Sequence, residues 1–195
     1  MNCENRRVKP GLQRIKIFIV SAVITVVVVS GCWNPFSPNT GGEPPPVQYH
    51  SPVDSAYKVL ENLEYAYISR DIGHYLACFR DDFEFHLLEV DWNDYNDDGT
   101  IDTYWGLDLE EQYHINMFNS TNVTSIDLNL SGTQQSVWTG DPTGQSYQLQ
   151  RTFELKVFTT ISPGYIATGS ALFICRPDTT TGEWYIWQWW DLSDT

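Results

Sequence analysis

Apolar side chains recur along this chain in two rhythms, and the change from one to the other divides it. Val53, Ala56, Tyr57, Leu60, Leu63 and Tyr67 fall three and four apart, the stripe of a helix running from about residue 51 to 69. Ser51 as N-cap, Pro52 at the first helical position and Asp54 in the first turn mark its start. Asp71 then caps a short second helix carrying Ile72, Tyr75, Leu76 and Phe79, which Asp81 and Asp82 end. Phe83-Glu84-Phe85-His86-Leu87 alternates as a strand, and Leu109, Tyr113, Met117 and Phe118 predict a third helix over about 108–118. From there the period is two. Ile126, Leu128 and Leu130 alternate with polar residues, as do Tyr147, Leu149, Arg151, Phe153, Leu155 and Val157. Turns at 162–164 and 177–182 separate these from strands over 165–176 and 183–191. Ala167, Gly169 and Ala171 keep one face of the third long strand small, which suits sharp curvature. The expected fold is α+β, helices packed on one curved antiparallel sheet.

The front of the chain follows neither rhythm. Arg6, Arg7, Lys9, Arg14 and Lys16 precede an apolar run from Ile17 to Val29, the layout of a secretion signal. The run is shorter than the roughly 20 apolar residues a membrane-crossing helix needs. Val29-Ser30-Gly31-Cys32 resembles the lipobox of bacterial lipoproteins. The resemblance implies cleavage after residue 31 and a lipid on the Cys32 thiol; Val in place of Leu at the first position is a mild departure. Trp33 rather than Asp follows the cysteine, so the implied address is the cell envelope, at the outer membrane rather than the inner. Residues 32–50, rich in Pro and Gly, read as a tether, and 51–195 as the folded domain.

Charge narrows the partners. The chain has 11 Lys and Arg against 25 Asp and Glu, a net −14, and loss of residues 1–31 makes it more acidic still. Nucleic acid is excluded as a partner, since a phosphate backbone needs clustered cations. With Cys3 in the signal and Cys32 lipidated, Cys78 and Cys175 remain either for one disulfide or as two small buried hydrophobes.

The element order, the phrase Tyr75-Leu76-Ala77-Cys78-Phe79-Arg80-Asp81-Asp82-Phe83-Glu84-Phe85 and the closing Gly182-Glu183-Trp184-Tyr185-Ile186 are similar to the nuclear transport factor 2-like superfamily, which includes the SnoaL-like and ketosteroid-isomerase-like proteins. That likeness implies a cystatin-like cone, a curved sheet wrapped around a long N-terminal helix with a pocket at its open end. Members are isomerases, dehydratases, cyclases or binding modules, so the fold does not choose among them. A self-paired sheet homodimer is also compatible with it.

Three sets of residues are candidates for chemistry. Asp94-Tyr95-Asn96-Asp97-Asp98-Gly99-Thr100-Ile101-Asp102, within an acidic insertion at 91–105, resembles an EF-hand or dockerin-type calcium loop. Asp94, Asn96, Asp98, the Thr100 carbonyl and Asp102 are the implied Ca2+ ligands, and Gly99 takes the tight turn. Position twelve is Trp105 instead of Glu, so Asp91, Asp108 or Glu111 would have to complete the set. For catalysis, the isomerase-like resemblance points to Asp82 with Tyr57 or Tyr65. His86 shares the parity of Asp82 and Glu84, yet each acid is equally explained as a polar helix end or the wet side of a strand. No His pair at zinc spacing, no G-x-S-x-G and no phosphate loop is present. The third set is aromatic. Strict alternation places Trp187 and Trp189 opposite Trp184 and Trp190, so one pair at most lines a cone. The expectation is a lipid-anchored, non-catalytic domain binding a small apolar ligand or an envelope protein. The alternatives are an isomerase or dehydratase using Asp82 and a Tyr, and a structural protein whose cone is filled by its own aromatics.

Overall fold

The computed structural model describes residues 47–161 and 164–193. The signal, Cys32 and nearly all of the tether lie outside them. Among the described residues are three α-helices, α1 (Ala56–Ser69), α2 (Ile72–Ala77) and α3 (Leu107–Phe118), one short 3-10 helix (Glu89–Asp91) and seven strands. The strands are β1 (Glu84–His86), β2 (Tyr104–Gly106), β3 (Val123–Ser131), β4 (Gln135–Val137), β5 (Tyr147–Thr159), β6 (Tyr165–Pro177) and β7 (Trp184–Asp191). They form one sheet in the order β2-β1-β7-β6-β5-β3, with β4 also on β5. It is curved and mixed, not wholly antiparallel as expected, because β1 arrives from the helices and lies parallel to β7.

The first helix starts later than its capping signals suggest. The Val53 carbonyl accepts the Trp184 amide at 2.8 Å, so residues 51–54 are fastened to β7 and the helix begins at Ala56. Buried Asn62 clasps the backbone of His50 on both sides, at 2.8 and 3.1 Å, and Tyr49 stacks on His74 with centroids 3.7 Å apart. Tyr49 and His50, assigned by composition to the tether, therefore belong to the body. Asp71 caps α2 as expected, accepting the His74 amide at 3.0 Å.

Val59, Leu60, Leu63, Ala66 and Tyr67 of α1 pack on Ile126 and Leu128 of β3, Leu149 of β5, Phe173 of β6 and Ile186 of β7. A bulge in β7 corrects the alternation. Ile186 pairs with Cys175 and Gln188 with Ile174, which makes Trp187 the extra residue. Trp184, Ile186 and Trp189 consequently share the inner face with the core, where Trp189 meets Phe173 and Phe85. Trp187 and Trp190 turn outwards. Among the described residues no helix is long and apolar enough to cross a membrane.

Candidate functional site

The residues named for catalysis do not meet. Asp82 sits on the outer face with its side chain 50% exposed, ion-paired to Arg176. Tyr57 is 53% exposed on the far side of α1, and Tyr65 lies against Tyr49. His86 stacks flat on Trp190 at 3.6 Å, and its Nε2 lies 3.0 Å from Glu84, which also takes the Gln188 amide. This cluster is outside as well, because Phe85 between Glu84 and His86 points into the core. Burial holds the His86 imidazole below its ordinary pKa despite the carboxylate beside it. Asp82 is thus a surface ion-pair partner of Arg176, apart from both Tyr57 and Tyr65.

A different acid-base group occupies the helical end of the core. Glu110 and His114 stand one turn apart on α3, 2% and 7% exposed, on the stripe that continues to Phe118. The Tyr75 hydroxyl donates to Glu110 Oε1, and the Trp105 indole N–H to Oε2 at 2.7 Å. His114 Nδ1 lies 2.9 Å from the Glu110 carbonyl and Nε2 lies 2.6 Å from the Tyr67 hydroxyl. A carbonyl only accepts, so Nδ1 carries the proton and Nε2 accepts from Tyr67. Every donor then has an acceptor. Burial lowers the His114 pKa against the opposing pull of Glu110. Desolvation, reinforced by the same carboxylate, raises those of Tyr67 and Tyr75. Tyr75 stacks on His114 at 4.1 Å and edges onto Phe79 and Phe118, which closes the group against water. Such a circuit ties the three helices together. The expected stripe on α3 began at Leu109 and Tyr113; the buried one is Glu110, His114 and Phe118, legible only as polar residues at i and i+4 on an otherwise apolar face.

The acidic loop turns where it was expected to, with Gly99 at φ +85°. Asp94 and Asn96 both accept the Asp98 amide at 3.0 Å, so two of the implied ligand oxygens meet at one point. Asp98 accepts the Thr100 amide at 2.7 Å, and Asp102 turns to the Tyr95 amide at 3.0 Å. Trp105, at position twelve, is buried and bonded to Glu110. Among the described residues no three acidic, His or Cys side chains converge as a metal cluster. Cys78 and Cys175 are free, buried thiols, so the possible bridge is not formed. Burial pushes the Cys78 thiol up to about 12, and that of Cys175 upwards too.

Two grooves are open among the described residues: one of about 330 Å³ beside the acidic loop, lined by Asn96, Asp102, Tyr104 and Trp105 among others, and a larger one on the outer face that nothing in the strand pattern announced. The larger groove, of about 450 Å³, is lined by Trp138, Asp141, Gln145, Arg176, Tyr185 and Trp187, among others. The β7 bulge aims Trp187 into it. The Arg176 guanidinium lies 4.2 Å from the Trp187 ring centroid and 5.4 Å from that of Tyr185, and Trp138 meets Trp187 edge-to-face at 5.3 Å. A Cβ at Gly140 would come within 2.3 Å of the Trp138 ring, so any side chain there displaces the indole.

No family model and no curated protein matches this chain. Solved structures do. A candidate aromatic ring hydroxylase of Novosphingobium aromaticivorans superposes with a TM-score of 0.53 at 15% identity, over 71% of this chain and 87% of that one. A protein of Caulobacter vibrioides described as having a cystatin-like fold gives 0.51 at 11%, over 75% and 92%. The fold is cystatin-like, of the nuclear transport factor 2-like kind. A candidate scytalone dehydratase of N. aromaticivorans (0.53, 11%, 71% and 81%) has the same architecture. At these identities the likeness carries the fold alone.

Proposed function

We propose that the mature chain is a lipid-anchored protein of the cell envelope, at the outer membrane, whose cone-shaped body binds a partner molecule and catalyses nothing. One observation carries the binding half of this reading. The buried acid-base groups bond to one another in a closed core, while the groove of about 450 Å³ on the outer face stands open, within the size range of ligand sites. A small apolar ligand inside the cone would compete with Tyr67, Tyr75, Phe79 and Phe118, which already fill that end. The same filled core favours a second reading, a structural envelope protein with no ligand.

A ligand screen by thermal shift in the full lipoprotein separates these. Compounds that raise the melting temperature of wild type, but not of Trp187→Ala, support the binding module. A screen without any such compound supports the structural reading. The anchor is tested apart from both. A fatty acid fed to expressing cells is expected to label wild type and not Cys32→Ser, and equal labelling would end the idea.

We further propose that the acidic loop takes Ca2+ in the weak extracellular range, Kd about 10⁻⁴–10⁻³ M, through Asp94, Asn96, Asp98, the Thr100 carbonyl and Asp102. The two oxygens already gathered on the Asp98 amide support this, and the absence of a twelfth-position carboxylate keeps it weak. Terbium luminescence sensitised by nearby Trp92 and Tyr95 is expected in wild type and lost in Asp98→Ala. No signal at millimolar metal would leave the loop as a solvated turn.

A further inference from the structure

The groove rests on the binding-module reading, and its chemistry narrows the ligand. Both lips are turns wound around one aspartate. Asp141 accepts the Thr143 amide at 2.8 Å and hydroxyl at 2.6 Å, and the Ser146 amide at 2.9 Å and hydroxyl at 2.7 Å. Asp178 accepts the Thr180 and Thr181 amides, each at 2.8 Å, and its carbonyl takes the Gly182 amide at 2.8 Å. Lips held this way need little ordering when a ligand arrives, which removes part of the entropic cost of binding.

The floor is aromatic but carries no unanswered cation. Arg176 pairs with Asp82, and Arg80 lies 3.8 Å from Asp178. With Asp141 also facing the groove, an anionic ligand meets more acid than base. A wholly apolar ligand fits no better, because Gln145, Thr143 and Thr179 line the same space and would lose water without a partner. Arg176 gives Nε to the Tyr185 hydroxyl and Nη2 to Asp82, which leaves Nη1 to donate to a ligand. The complementary molecule therefore has a flat apolar face, hydroxyls around its edge and no charge.

A sugar ring has that form, its C–H face lying on an indole and its hydroxyls reaching planar polar side chains. We propose that the groove binds a neutral glycan, with the ring stacked on Trp138 or Trp187 and hydroxyls bonded to the Gln145 amide and Arg176 Nη1. Apolar stacking then sets affinity and the rim sets which sugar is accepted.

The test is a tryptophan-emission titration of the full lipoprotein in a sugar-free detergent, with cellohexaose, maltohexaose, mannohexaose and chitohexaose. An oligogalacturonate, a proline-rich peptide and the apolar dye anilinonaphthalene sulfonate serve as comparisons. At least one neutral hexasaccharide is expected to bind saturably and more tightly than the oligogalacturonate. Trp187→Ala should weaken it about tenfold or more. Gly140→Ala, which displaces the Trp138 ring while keeping it, should do likewise at an unchanged melting temperature. No binding by any neutral hexasaccharide, or binding indifferent to both substitutions, overturns the proposal. Should the peptide or the dye bind instead and lose affinity in Trp187→Ala, the glycan is refuted and the binding module stands. If nothing in the panel or the thermal-shift screen depends on Trp187, both fall.

Discussion

Replacing Glu110 by Ala is expected to cost about 3–5 kcal/mol of folding stability, a large part of the 5–15 kcal/mol typical of a domain. The substitution strands the Tyr75 hydroxyl and the Trp105 indole N–H in a closed core and leaves a void where the carboxylate stood. Glu110→Gln should cost far less, about 1–2 kcal/mol. Its amide oxygen still accepts from Trp105, and the Tyr75 hydroxyl can rotate to accept from the new amide N–H. Urea unfolding of the three proteins decides it. A cost below about 1 kcal/mol for Glu110→Ala would mean that the network does not hold the helices, and that Glu110 is kept for some other purpose.

Acid should unfold the domain early. In the folded state burial holds the pKa of His114, and that of half-buried His86, below the ordinary value near 6.5. The unfolded chain therefore binds more protons below that value, and stability present above pH 6.5 is lost as pH falls towards the depressed folded pKa values. The slope from His114 alone is about 1.4 kcal/mol per pH unit in that window. Glu64 and Asp91, both raised by burial, act the other way but nearer the carboxylate range. Melting temperatures between pH 7.5 and 5.5 should drop in wild type and drop less in His114→Gln. Equal slopes in the two proteins would contradict the assignment.

The fold was legible because its main signals are local. The three-and-four spacing of α1 survives in Ala56, Leu60, Leu63 and Tyr67, while Tyr57 of the same expected stripe faces solvent and Val59, outside it, is buried. The alternation of β5 places Leu149 and Val157 inside. Boundaries were lost where tertiary bonds outweighed local signals. Ser51 and Pro52 begin no helix because Val53 is held by Trp184. The bulge at Trp187 was invisible for a similar reason, since one inserted residue shifts parity without leaving a mark on composition.

The site was less legible. The isomerase-like resemblance pointed to Asp82, yet a carboxylate in water beside Arg176 is an ordinary ion-pair partner. The groove joins two distant loops, which no local pattern can bring together. Its one readable trace was the pair of Asp–Thr–Gly-rich turns, Asp141-Pro142-Thr143-Gly144 and Asp178-Thr179-Thr180-Thr181-Gly182, flanking the aromatic strands. Glu110 and His114 went unread because buried ionisable side chains are rare without partners, and theirs come from three other elements.

Hydrogen exchange of the tryptophan indole N–H groups, followed by NMR, tests the division between closed core and open groove most directly. Trp105 N–H, bonded to Glu110 at 2.7 Å inside the core, is expected to exchange only through global unfolding, as slowly as the most protected sheet amides. Trp138 and Trp187, on the outer groove, should exchange orders of magnitude faster. Fast exchange at Trp105 while the sheet amides stay protected would show that water reaches Glu110 in the folded protein. The core would then be an accessible site with an acid and a base inside it, which contradicts a body that binds only on its outer face.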